Sequence, residues 1–209
     1  MGRKSLKLIR QKEIIKTFYK VAKKEGLEHA SIAKTAAAMD INPSLVLHYF
    51  ASKEQLLFGL TEHILDRYMK IFNTNTKKDI DPIIKLVKVI NNVFSRKWNV
   101  LFDDDVSYSC YSLTFRDQKI KNNFKTVLDA LRKKLEDLII VCNENSNLAV
   151  NDPHLTADLI FILADGAYYY LNLVKDKSEY QEKLQVYKQR AFELLNLTDY
   201  VSKEEPVHK

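Results

Sequence analysis

The sequence predicts an all-α fold of about nine helices, three short ones followed by six longer ones. Gly and Pro number only 4 each in 209 residues, so the turn residues on which hairpins and phosphate loops depend are scarce. Apolar residues recur with a period near 3.6 almost throughout, and no segment reads as a strand. A composition of 46% hydrophobic and 29% charged residues is that of a packed globular chain.

Each element follows from its local pattern. Ile15, Phe18, Tyr19 and Ala22 keep the i, i+3, i+4, i+7 spacing, predicting a helix from about residue 5 to Lys24 that stops at Gly26. Ser31 caps a second helix, Ile32 to about Ala38, and Met39 and Asp40 form the turn after it. Asn42 caps a third, with Pro43 at its first position, where a missing N–H costs nothing, running to about Tyr49. Ser52 caps a fourth helix that carries Leu56, Leu60, Ile64 and Ile71 as far as Phe72, and Asn73 to Asp79 reads as a linker. A fifth begins at Asp81 and Pro82 and carries Phe94, Trp98 and Leu101. Asp103 to Asp105 favour the start of a sixth, because carboxylates suit the positive end of the helix dipole; it extends to Phe115. A seventh runs from about Asp117 to Cys142, and residues 143–151 form a loop. Asp152 and Pro153 open an eighth, apolar nearly all round as far as Val174, and a ninth runs from Ser178.

The charge is unevenly distributed. Residues 1–53 hold 11 Lys and Arg against 4 acidic residues, a net +7, whereas the remaining 156 residues hold 22 against 23. That asymmetry points to an anionic partner for the first module alone. No apolar run approaches the roughly 20 residues that span a bilayer, and the N-terminus lacks a signal-peptide core, so a cytoplasmic protein without a membrane partner is expected. Cys110 and Cys142 form neither a CxxC motif nor a disulfide framework. Five histidines lack ligand spacing such as HExxH, and neither a nucleophile–base pair nor a phosphate loop is present. No catalytic residue, metal or cofactor is therefore expected.

Helices two and three have the lengths and tight turn of a helix-turn-helix, whose second member enters a major groove. The stretch from Ser31 to Leu57, SIAKTAAAMDINPSLVLHYFASKEQLL, resembles the signature of the TetR family of transcriptional regulators. The matching parts are Ser31, Ala36, Ile41, Asn42-Pro43-Ser44, His48-Tyr49-Phe50, Ser52-Lys53-Glu54 and Leu56-Leu57. Three positions depart from the family pattern: Asp40 stands for a usual Gly at a turn that favours a left-handed backbone, Leu47 for Tyr, and Thr35 for Ile. From residue type, Ser31, Tyr49 and Lys53 suit phosphate contacts, and Asn42, Ser44 and His48 suit base edges, with Leu45 able to meet a thymine methyl. Pro43 joins them as the start of the reading helix.

In the second module Trp98, Phe102, Tyr108, Tyr111 and Phe115 alternate with hydroxyl residues, Phe161 lies on helix eight, and Asp165 sits in an apolar run where an unpaired charge is costly. These seven are the candidate lining of a cavity for a small, largely apolar ligand, a cation being held by ring faces and Asp165; alternatively, Asp165 pairs across an interface. The resemblance implies a homodimer through the last two long helices and an inducer enclosed by helices four to seven. The all-round apolar surface of helix eight independently supports a dimer, with Leu163 and Leu195 as expected interface positions. The expected division is 1–53 as the helix-turn-helix DNA-binding domain, with helix four from residue 52 as connector, 54–201 as the ligand-binding and dimerisation domain, and 202–209 as a charged tail. The expected function is a ligand-responsive repressor that binds an inverted-repeat duplex operator as a homodimer and is released by a small-molecule inducer. A ligand-independent architectural DNA-binding protein is the alternative.

Overall fold

A computed structural model describes residues 3–74, 81–95, 104–146 and 148–203. Among these residues the chain forms nine α-helices and no strand. They are α1 (Arg3–Glu25), α2 (Ile32–Ala38), α3 (Pro43–Tyr49), α4 (Lys53–Tyr68), α5 (Pro82–Val93), α6 (Asp104–Ser112), α7 (Gln118–Asn145), α8 (Pro153–Leu171) and α9 (Lys177–Leu194). Short 3-10 turns follow α4, α6 and α9 at Met69–Phe72, Leu113–Phe115 and Thr198–Lys203. No helix among the described residues is long and apolar enough to cross a membrane.

The helices pack as two units that do not follow the order of the chain. The first comprises residues 1–68 and 101–127, the second 69–100 and 128–209. In the first, Ile14, Ile15, Phe18 and Ala22 of α1 bury one stripe against Leu56, Leu60, Ile64 and Leu65 of α4. Ala36 of α2 and Val46 of α3 close that core, and so do Val106 and Cys110 of α6 and Ile120 and Phe124 of α7. A cut at residue 53 thus does not coincide with a packing boundary: α4 and residues of the segment 106–127 share the core of the first three helices. Burial binds them, because α6 presents an apolar pair that α1 and α4 cover.

The turn between α2 and α3 has the chemistry its sequence suggests. Asp40 adopts φ +53°, a left-handed conformation that Asp tolerates better than most residues. Its N–H donates to the Ala37 carbonyl at 3.2 Å, and the Ile41 N–H donates to the Ala36 carbonyl at 3.0 Å. These two bonds satisfy the carbonyls that end α2, in the Schellman arrangement. Gly26 ends α1 in the same hand, at φ +86°. Asn42 caps α3 by accepting the Ser44 N–H at 2.9 Å, and Ser52 accepts the Gln55 N–H at 3.4 Å to start α4.

In the second unit α9 packs against α8 and α5. Asp81 caps α5, accepting the Ile83 N–H at 2.9 Å and the Ser146 hydroxyl at 2.7 Å, and these bonds hold its carboxyl below the usual range. Two expected helices end early. α5 stops at Val93, with Phe94 as a non-helical cap, and the expected continuation through Trp98 to Leu101 lies outside the described residues. The Tyr168 hydroxyl of α8 donates to the Val93 carbonyl at 2.6 Å, taking up a terminal acceptor that a continuing helix would have used. α4 ends at Tyr68 and tightens to a 3-10 turn over Met69–Phe72, where the chain passes from one unit to the other. α7 supplies residues to both units without a break.

The Asp40 backbone gives a direct test. Asp40→Gly should raise stability to denaturant by roughly 0.5–1 kcal/mol, and Asp40→Val should lower it by about 1–2 kcal/mol, since a β-branched residue is strained at positive φ. Equal stability of the two variants would contradict a left-handed turn.

Candidate nucleic-acid interface

The seven-residue α3 is too short to be stable alone and takes its orientation from what it buries. Val46 is fully buried, and Phe50 beyond its end is buried as well. At about 100° per residue, Ser44 and His48 then lie opposite Val46, on the outward side of the helix. Both are exposed, together with Asn42, Pro43, Leu45 and Leu47. Tyr49 is half-buried, and its ring meets the His48 ring edge-on at 5.2 Å. Its backbone carbonyl accepts a hydrogen bond from the Gln11 side chain of α1 at 3.4 Å, which ties the end of α3 to the basic first helix.

The candidate phosphate contacts have mixed commitments. Ser31 caps α2, its Oγ accepting the Lys34 N–H at 3.2 Å, so its hydroxyl hydrogen stays available for another acceptor. Lys53 Nζ donates to the Glu28 carbonyl at 3.2 Å, which fixes the side chain and leaves two of its three ammonium hydrogens. Lys34 pairs with Glu25, a contact that pulls the glutamate carboxyl below its ordinary value. Thr35 is buried and donates its hydroxyl to the Ser31 carbonyl at 2.8 Å, satisfying the polar group that replaces an aliphatic one.

The aromatic candidates fall into both units, and Trp98 and Phe102 lie outside the described residues. In the first unit the Tyr111 ring stands edge-on to Phe115 at 5.8 Å and to Phe124 at 5.7 Å, and Tyr108 lies one turn earlier on α6. Tyr108, Tyr111 and Phe115 are exposed. Ser107 Oγ and Asn123 Nδ2, in the same helices, are buried polar atoms without a hydrogen-bond partner. In the second unit Phe161 is buried and its ring is covered by the Arg132 guanidinium at 5.5 Å. Arg132 Nε also donates to Asp158 at 2.8 Å, and its Nη2 lies 3.6 Å from Asp165. Asp165 thus has a partner within its own chain. Desolvation pushes its carboxyl up while Arg132 opposes the rise, and a side chain still 55% exposed lets solvent limit the shift.

Arg132 was not among the residues expected from sequence. Asp158 and Asp165 stand seven positions apart on one face of α8, a spacing that asks for a shared cation. Gln11 left no comparable signal. Both thiols are buried, and burial pushes Cys110 up to about 12 and Cys142 up to about 11, so neither supplies a thiolate near neutral pH. Among the described residues no three His, Cys, Asp or Glu side chains are grouped to hold a metal ion.

Two short helices meeting across a left-handed turn, in an all-helical chain, define a helix-turn-helix protein. Residues 81–197 match the family described as tetracyclin repressor-like, C-terminal domain. The chain belongs to the TetR family of transcriptional regulators. Solved structures agree in fold. A TetR transcription regulator from Haloarcula marismortui superposes with a TM-score of 0.73 at 18% identity, covering 89% of this chain and 96% of the other. A putative transcriptional regulator from Saccharomonospora viridis, in complex with choline, gives 0.71 at 15% identity, covering 88% and 95%. Reduced NemR of E. coli gives 0.71 at 12% identity, covering 88% and 97%. No curated relative matches the sequence.

Proposed function

We propose that this transcriptional regulator is a ligand-responsive repressor that binds an inverted-repeat duplex as a homodimer and releases it when a small, largely apolar molecule binds. The observation that carries the DNA reading is the orientation of α3: Val46 is inward and Ser44 and His48 are outward, in a segment of net charge +7. Ser44, His48 and Asn42 address base edges; Ser31, Tyr49 and Lys53 address phosphates.

The dimer reading rests on α8. Leu155, Leu159, Ile162 and Tyr169 are exposed on the described chain, Ile162 at 54% and Tyr169 at 68%. They recur at helical spacing, in register with Gly166, whose surroundings are open within 4 Å. An apolar row of this length on a water-facing helix fits a second copy. Leu195 does not belong to that row, because it is fully buried in its own chain, and Leu163 is half-buried. Ile162 and Tyr169 replace them as the interface positions.

The ligand reading draws on the exposed rings of Tyr108, Tyr111 and Phe115 and the unpartnered Ser107 and Asn123. Buried polar atoms without partners cost about 1–3 kcal/mol each, so a ligand or water that satisfies them is favoured. A ligand there acts through α6, which packs on α1 and α4 in the core that also holds α3. The choline bound by the S. viridis protein makes quaternary ammonium compounds reasonable first probes.

Three outcomes are expected. In fluorescence anisotropy on a duplex selected from a random pool, Lys53→Gln should weaken binding about equally on all sequences. It should also reduce the slope of log K against log salt by about one per subunit; an unchanged slope would remove Lys53 from the phosphate contacts. Ile162→Asp should convert a sedimenting dimer to monomer, and a dimer that persists would displace the interface from α8. Tyr111→Ala should keep duplex affinity while abolishing the release caused by any compound in a panel begun with choline. If no compound shifts either melting temperature or duplex affinity of the wild type, the architectural alternative holds.

A further inference from the structure

The outward ridge of α3 is bordered on both sides by leucine. Taking the buried Val46 as inward, Leu45 lies about 100° to one side and Leu47 about 100° to the other, and Ser44 and His48 lie between them on the far side. Leu45 is 37% exposed and Leu47 44% exposed, and neither is part of the core around Val46. Single exposed leucines are ordinary on a protein surface. A symmetric pair on the two shoulders of a seven-residue helix, in a segment with an excess of 7 positive charges, matches one surface in particular. The major groove of duplex DNA is lined with phosphates and carries one apolar group on its base edges, the C5 methyl of thymine.

Resting on the DNA-binding reading above, we infer that Leu45 and Leu47 clasp thymine methyl groups on opposite strands, so that each half-site carries a thymine on either side of the base pairs read by Ser44 and His48. The geometry sets the strands: with the Ser44–His48 ridge toward the groove floor, the two leucines face opposite groove walls, and each wall belongs to a different strand. The contact is apolar, so it distinguishes thymine from cytosine and equally from uracil, which has the same hydrogen-bonding edge without the methyl. Leu47 thereby becomes a sequence-determining residue on the same footing as Leu45.

The test uses the full-length protein and the duplex it selects from a random pool. Each thymine of the half-site is replaced in turn by deoxyuridine, in both half-sites together. Two positions, one on each strand, should lose affinity about fourfold per half-site and therefore about fifteenfold per duplex, the effect expected for one buried methyl-sized group. Leu47→Ala should abolish the sensitivity at one of these positions and Leu45→Ala at the other, with no change in the salt slope. Because the deoxyuridine series is read on wild-type protein, it does not depend on the folding of either variant. A selected duplex indifferent to deoxyuridine, or sensitivity that survives in both variants, overturns the clasp and leaves the DNA-binding reading standing. Failure to select any duplex overturns both.

Discussion

The burial of Val46 is the constraint on which the N-terminal half of the molecule depends. A helix of seven residues has too few internal hydrogen bonds to persist in water, so α3 exists because it is pinned at three places. The Asp40 turn fixes its entry, Asn42 caps its first turn, and Val46 and Phe50 anchor it in the core formed by α1 and α4. Every outward side chain on α3 inherits its direction from that anchor. A rotation of the helix by one residue would replace Ser44 and His48 with a leucine and bury a polar group, a change costing more than the packing could return. The identity of the exposed face is therefore a consequence of core packing rather than of the exposed residues themselves.

Much of this was legible in the sequence because it is local. Caps at Ser31, Asn42, Ser52, Asp81 and Asp152 stand at or beside the helix starts the sequence marks, and the left-handed turn falls on Asp40. Each of these features is decided within a few residues by backbone sterics and one hydrogen bond. What was not legible is long-range. α5 ends at Val93, where Tyr168, 75 positions away, donates to the last carbonyl of the helix. The helical period continues beyond Phe94 and gives no sign of that stop. Leu195 looked like an interface residue because an apolar stripe records only that a face is covered, and here the cover is the chain's own core. Likewise, the apolar run around Asp165 gives no sign that its side chain is 55% exposed or that Arg132 of α7 lies 3.6 Å away.

Core packing also bears on how the chain is divided. Order along the sequence suggested a DNA module ending near residue 53, yet α4, α6 and the start of α7 bury their apolar faces in the same core as α1 to α3. Three helices with two short members enclose a small apolar area, and a small domain is correspondingly marginal. Recruiting Val106, Cys110, Ile120 and Phe124 enlarges that core, and each buried aliphatic or aromatic side chain contributes about 1.5–3 kcal/mol. α3 thus shares its core with residues more than fifty positions downstream.

That shared core bears on how a ligand could alter DNA binding. Protein interiors are close-packed, so a shift of α6 is not absorbed by soft neighbours but is passed to the elements it touches. Those elements are α1 and α4, and α1 in turn contacts both helices of the turn motif. On the proposed reading, a ligand at Ser107 or Asn123 would act on α6, which lies in the same core as Val46. Cys110 lies at the centre of this contact, fully buried beside Thr61, with its thiol pushed up to about 12. A side chain so placed contributes to that core as packing volume. On the ligand-responsive reading proposed above, such a coupling would travel through packing, and its size would be limited by how far α6 can shift in that core. About 1–3 kcal/mol is the usual scale for such coupling, and a duplex affinity can change 5- to 150-fold within it.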